Sequence, residues 1–141
     1  MVAESDAANA ADALQAKGLR VEDPPEDWLF KVFTDGAMVD VLFRPNQRPV
    51  DRALLDRAED VEGLSVLMPV LSATDLVAHK LGALEEHLCD FAALLPVARA
   101  LREQVDWSAV REYVADNDFA LAFLHLLDRL GIVAASPTLE A

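Results

Sequence analysis

The spacing of apolar and polar residues points to strands in the first half of the chain. Two apolar, β-rich runs, residues 28–33 and 38–43, flank the sequence Thr34-Asp35-Gly36-Ala37. An Asp-Gly pair between two such runs is a strong signal for a two-residue hairpin turn. With that turn, Lys31 falls opposite Asp40 in the paired strand. Because nearly every other position in both runs is apolar, we expect both faces of this sheet to be covered.

Shorter signals surround the hairpin. An Ala-rich helix is expected over residues 5–17, with Ser5 as its cap and Gly18 as its stop. A short strand is expected at residues 19–21 and a short helix at 50–57, and residues 61–64 and 66–71 can form one more strand or hairpin arm.

The pattern becomes helical after Ser72. Ser72 and Asp75 resemble a capping box, and apolar residues follow at helical spacing up to Leu88. Further helices are expected at about 91–104, 108–115 and 118–130, with Pro96 in or near a first turn. The order predicts an α+β fold, in which a small sheet with a flanking helix (residues 1–71) and a C-terminal helical bundle (72–141) form one compact unit.

Composition and charge make some classes of function less suitable for this chain. The chain has 141 residues, 53% of them hydrophobic, and a formal net charge of −13. This fits one domain with a real core. The absence of a basic stripe disfavours autonomous nucleic-acid binding and attachment to an anionic membrane. One cysteine, no signal-peptide pattern and no long apolar run lead us to expect a cytoplasmic protein.

Two charged residues lie in apolar surroundings. Asp40 stands between Val39 and Val41 in a strand, where it is either paired with Lys31 or part of a functional site. Lys80 lies beside the apolar stripe of its helix, where it either extends its amine to water or binds a ligand. Pattern alone leaves both alternatives open.

The polar cluster at residues 85–90 suggests a metal, but its spacing matches no metal-binding motif. We therefore expect Cys89 to be a small buried hydrophobe and the lone His125 to be a packed helix residue. The glycine motifs of serine hydrolases, Walker NTPases and Rossmann folds are also missing from the sequence.

The order of three segments resembles a known family. An apolar strand with a central acid (residues 38–43) is followed by Val70-Leu71-Ser72-Ala73-Thr74-Asp75-Leu76-Val77-Ala78-His79-Lys80-Leu81 and then by His87-Leu88-Cys89-Asp90-Phe91. This is similar to the nucleotidyltransferase-like proteins of the AbiEii/AbiGii toxin type, within the DNA polymerase β-like nucleotidyltransferase superfamily. The resemblance extends from about residue 6 to residue 133.

The resemblance implies a small mixed sheet flanked by helices and transfer of a nucleotidyl group from an NTP, with Mg²⁺, to a hydroxyl on RNA, a protein or a small molecule. Asp40 matches the third metal-binding carboxylate, with a role as base or metal ligand. Lys80 matches a lysine that contacts nucleotide phosphates, and Asp90 matches an acid that orients the lysine or the base. Lys31, opposite Asp40, is the second candidate for nucleotide binding.

The family's Gly-Gly/Ser turn and Asp-x-Asp strand are not in this sequence. A mis-set start, a cut chain or a natural inactive remnant would each explain their absence. Since one carboxylate of three holds Mg²⁺ poorly, we expect weak or no catalysis. The alternative is a non-catalytic interaction module, antitoxin-like or oligomerising through an exposed sheet edge.

Overall fold

The computed structural model describes residues 1–133, and the chain divides into two compact units at residues 69 and 70. Both antiparallel sheets and α-helices are present, with the longer helices in the C-terminal part, which confirms the α+β class.

The N-terminal unit is built around a three-stranded sheet. Its elements are α1 (Ala7–Ala16), β1 (Arg20–Glu22), β2 (Leu29–Thr34), β3 (Ala37–Leu42) and α2 (Arg52–Asp56), with short 3₁₀ turns at Glu4–Asp6 and Pro45–Gln47. The strand order is β1-β2-β3, and both pairings are antiparallel. The resemblance implied a mixed sheet, whereas both pairings of this sheet are antiparallel. The β2–β3 pairing is antiparallel because a tight hairpin joins the two strands.

A second sheet consists of β4 (Glu59–Gly63) and β5 (Val66–Val70). The two residues between these strands, Leu64 and Ser65, both have positive φ, at 50° and 63°. Every residue of β5 and nearly every residue of β4 is exposed, and Leu64 is fully exposed. Within the described residues, the apolar side chains of β5 and of Leu64 are therefore left in solvent, whereas β4 is mostly acidic.

The expectation that both faces of the first sheet are covered is wrong for β3. In β2, Leu29, Phe30 and Val32 are buried, whereas Met38 and Val39 in β3 are each 53% exposed. The physical reason is position, since β2 lies between two strands and β3 lies at the edge.

The C-terminal unit contains α3 (Ala73–Gly82), α4 (Phe91–Leu101), α5 (Trp107–Tyr113) and α6 (Asp118–Arg129). Their apolar faces form one buried cluster, in which Val110, Ala120, Leu124 and Leu127 have no exposed surface. Periodic apolar positions on each helix explain this packing.

Side chains cap all four helices of this unit. Ser72, Asp90, Asp106 and Asn117 each accept a hydrogen bond from a backbone N–H in the first turn. Ser72 also donates its hydroxyl to Asp75 at 2.8 Å, so the two residues are linked as the capping-box pattern predicted.

Several local expectations need correction. Ser5 makes no capping bond to α1, which begins after a 3₁₀ turn. Pro96 lies inside α4, well beyond its first turn. Leu88 is 65% exposed because α3 ends at Gly82, before the helical spacing reaches it. Cys89 and His125 are both exposed rather than buried or packed.

Candidate functional site

Asp40 lies near the middle of β3, directly opposite Lys31 of β2. The Lys31 Nζ atom lies 2.9 Å from Asp40 Oδ1, with side-chain exposures of 26% and 40%. The ion pair that the sequence offered as one alternative is therefore present. The Asp40 side chain thus stays partly exposed beside this ion pair.

The turn explains this pairing. Asp35 and Gly36 have φ values of 43° and 79°, as a two-residue turn with left-handed backbone at both positions requires. The turn places Thr34 opposite Ala37, and counting back along both strands brings Lys31 to Asp40. The juxtaposition is thus fixed by residues 34–37.

The outer edge of β3 is open over most of its length. The Val2 N–H donates to the Leu42 carbonyl at 3.0 Å, which shows that the backbone groups of Leu42 face away from β2. Because these directions alternate along a strand, Met38 and Asp40 face the same way. Among residues 1–133, no backbone group pairs with them.

A shallow hollow of about 480 Å³ lies at the turn end of the sheet. It is lined by residues 18–20 and 33–38, and Asp40 and Lys31 are not among the lining residues. Arg20 stacks over the Phe33 ring there, with its guanidinium carbon 4.1 Å from the ring centroid, and forms an ion pair with Glu22. The hollow therefore does not enclose the Asp40 carboxylate.

The other two candidates lie in the C-terminal unit. Lys80 is exposed on α3, beside the face that buries Val77 and Leu81. Asp90 caps α4, where its carboxylate accepts the Ala93 N–H at 3.1 Å. Within residues 1–133, no hydrogen bond or ion pair joins Lys80 to Asp90. Asp90 thus caps a helix, a role that was not predicted from the sequence.

The sequence analysis missed two polar contacts. The Tyr113 hydroxyl lies 3.2 Å from His79 Nδ1, and the two rings are 5.2 Å apart. Arg44 donates to Glu4 and lies 3.7 Å from Asp27. Hydrogen bonding to Glu4 and its negative charge raise the pKa of Arg44. Partners 34 and 40 positions apart leave no local pattern that could have revealed either contact.

The fit of Mg²⁺ to these residues is poor. Mg²⁺ needs several oxygen ligands in near-octahedral geometry. Asp40 supplies one carboxylate, and one of its oxygens is already bonded to Lys31. In the described part of the chain, no three His, Cys, Asp or Glu side chains are grouped so that they could hold a metal ion. These residues alone therefore do not build the metal site that the resemblance implies.

Comparison with known proteins does not assign the chain to a family. No protein-family model, curated protein or solved structure matches it. None of the helices in residues 1–133 has the length and apolar character needed to cross a membrane.

Proposed function

We propose that this chain is a nucleotidyltransferase-like domain that binds nucleotide but is weak or inactive in transfer. The observation that carries the proposal is Asp40, a solvent-accessible carboxylate held by Lys31 in the middle of an edge strand. Strand carboxylates of this kind bind metals or act as bases in phosphoryl-type transfer. The α+β order of the chain, with helices after the sheet, is compatible with the family that the sequence resembles.

The complete reaction joins an acceptor hydroxyl to the α-phosphorus of an NTP and releases pyrophosphate. The acceptor class is a hydroxyl on RNA, a protein or a small molecule, and we expect the protein in the cytoplasm. Mg²⁺ would neutralise the phosphate charge in the complete form. The poor fit of Asp40 and its surroundings to Mg²⁺ is the reason for proposing weak transfer.

Nucleotide binding is assigned to the lysines. Lys80 presents an exposed amine on α3, whereas the Lys31 amine on β2 belongs to a partly buried side chain. An ammonium group attracts phosphate oxygens as a compact point charge. Lys31 is already paired with Asp40, so Lys80 is the stronger candidate for the phosphates.

The test combines a transfer assay with thermal unfolding. With Mg²⁺ and each of the four labelled NTPs, we expect no measurable incorporation into protein or RNA acceptors. We expect millimolar NTP to raise the Tm by linkage, and Lys80→Ala to remove that rise. Lys17→Ala, which replaces another exposed lysine, is the matched control and should retain it.

Two results would contradict parts of this proposal. An unchanged Tm at every NTP concentration would refute nucleotide binding. Strong incorporation that disappears in Asp40→Ala would refute weak transfer and would show that this chain builds a working site by itself.

A second candidate function is a non-catalytic interaction or oligomerisation module. The open edge of β3 favours it, because unpaired strand edges readily add another strand. Multi-angle light scattering across a range of concentrations tests it. A strictly monomeric protein with no captured partner strand would count against it.

A further inference from the structure

The open edge of β3 has few of the features that prevent natural edge strands from pairing with other chains. Proteins commonly prevent such pairing with lysine, proline, a bulge or an inward-pointing charge at the edge. Residues 37–41 are Ala, Met, Val, Asp and Val, and β3 pairs with β2 without a bulge. The one charge, Asp40, is paired with Lys31 of the same sheet. The edge is thus apolar and close to neutral, although the chain as a whole carries −13.

We propose that this edge pairs with β3 of a second copy of the chain, antiparallel, about a two-fold axis at Val39. This inference rests on the second candidate function and names its partner and its register. Local neutrality favours a second copy, because neither strand brings an unpaired charge to the other. An antiparallel pair also satisfies the two-fold symmetry that most homodimers have.

The register follows from which backbone groups face outward. Outward-facing residues pair with outward-facing residues, so Met38 of one copy lies opposite Asp40 of the other, and the reverse. These two pairs would exchange about four hydrogen bonds. An axis at Asp40 is disfavoured because it places two carboxylates directly opposite each other.

The ends of the ladder are also defined. With the axis at Val39, Ala37 of each copy lies opposite Val41 of the other. The next position, Leu42, already has its carbonyl occupied by the Val2 N–H. The inter-chain ladder therefore covers residues 37–41 and joins two three-stranded sheets into one of six strands.

Position 39 is the best place to test the proposed pairing of the two β3 strands. Val39 faces Val39 of the second copy in a non-hydrogen-bonded pair, where the two Cα atoms lie about 4.5 Å apart. That separation is within the range of a disulfide. Val39 is 53% exposed in the single chain, so replacing it should not disturb the core.

The experiment is oxidative cross-linking of Val39→Cys in a Cys89→Ser background, which removes the one native, exposed thiol. We expect a disulfide-linked dimer that forms roughly tenfold or more faster than the dimer of a matched control, because pairing holds the two thiols in bonding geometry. The control is Val61→Cys, which places the thiol on β4 at a similar exposure of 47%. Light scattering on wild type and on Val39→Lys accompanies it, and the lysine variant should be monomeric because two ammonium groups would then meet.

The outcomes separate the register from the broader function. Equal cross-linking rates for Val39→Cys and Val61→Cys would overturn the proposed register. If light scattering still showed a dimer in that case, the interaction module would stand with a different interface. A monomeric wild type would overturn the homodimer, and a foreign strand captured on β3 would assign the edge to another polypeptide.

Discussion

In the C-terminal unit the apolar side chains of α3, α4, α5 and α6 bury one another, whereas in the N-terminal unit β3 and the β4–β5 hairpin hold apolar side chains in solvent. Leu124 and Leu127 are fully buried, but Met68 is 43% exposed and Leu67 is 68% exposed. Both units contain many apolar residues, but they bury these residues to different extents. The reason lies in the geometry of their elements.

A helix with apolar residues every three or four positions has one apolar face, and one packed neighbour can cover it. A strand that is apolar at successive positions has two apolar faces and an open backbone edge. β2 has a neighbouring strand on each side, whereas no strand among residues 1–133 pairs with the outer edge of β3. The surplus apolar surface of the N-terminal unit is therefore the part of this protein most suited to binding another strand.

The largest effect is expected from removing one large side chain from the buried cluster, which tests whether the C-terminal unit depends on its buried apolar side chains. Phe123 is 1% exposed, and its ring lies 5.1 Å from that of Phe91. We expect Phe123→Ala to lower the free energy of unfolding by about 3–5 kcal/mol, because it leaves a cavity in a packed core. Urea unfolding followed by the fluorescence of Trp107, in a Trp28→Phe background, measures the effect within this unit.

The same helix supplies the control. Phe119 also lies on α6 but is 37% exposed. Phe119→Ala should cost less, about 1 kcal/mol, since more than a third of the residue is exposed and removing the ring opens a space to water rather than an enclosed cavity. Equal losses for the two substitutions would mean that the cluster around Phe123 is not the packed core described here.

A smaller effect is expected at Asn117, which links two parts of the C-terminal unit. Its Oδ1 accepts the Ala120 N–H at 3.0 Å, and its Nδ2 donates to the Leu84 carbonyl at 3.0 Å. Asn117→Ala should lower the free energy of unfolding by about 1–2 kcal/mol, because a helix cap and a long-range hydrogen bond are lost together. The same urea titration measures it.

Asn117→Asp separates the two contributions. The aspartate keeps an oxygen for the Ala120 N–H but cannot donate to the Leu84 carbonyl. We expect a loss between those of wild type and Asn117→Ala. A variant as stable as wild type would show that the bond to Leu84 contributes nothing.

The elements that the sequence predicted well are those specified by local chemistry. The Asp35-Gly36 turn fixed the register of β2 and β3, and with it the Lys31–Asp40 pair. The predicted boundaries of α4, α5 and α6 agree with the structure to within a few residues at each end, because caps and apolar periodicity act over a few positions. The exception is α3, which ends at Gly82 although the apolar spacing continues to Leu88.

The rest depends on contacts that local patterns do not encode. Met38 and Val39 are apolar in the sequence, and only their place at a sheet edge leaves them exposed. Asp90 was singled out by resemblance, but whether it caps a helix or orients a lysine is decided by where α4 begins. The nucleotide-binding role of Lys80 stays a prediction.

The smallest expected effects concern two ion pairs, one in each unit. Arg111 and Asp128 join α5 to α6 at 2.7 Å, with side-chain exposures of 26% and 20%. Lys31 and Asp40 are 2.9 Å apart, but Asp40 is 40% exposed. We expect a double-mutant cycle to give a coupling of about 1–2 kcal/mol for the first pair and about 0.5 kcal/mol for the second, because water screens the more exposed charges.

High salt should increase the difference between the coupling energies of the two ion pairs. Raising the ionic strength from about 0.1 M to about 1 M shortens the Debye length from ~10 Å to ~3 Å, which weakens exposed pairs most. The Lys31–Asp40 coupling should therefore approach zero, while that of Arg111–Asp128 falls only in part. A Lys31–Asp40 coupling that equals the other pair and resists salt would mean that the Asp40 carboxylate is shielded from water in solution. Since the single chain leaves that carboxylate 40% exposed, the shielding would have to come from a strand or ligand bound at the β3 edge.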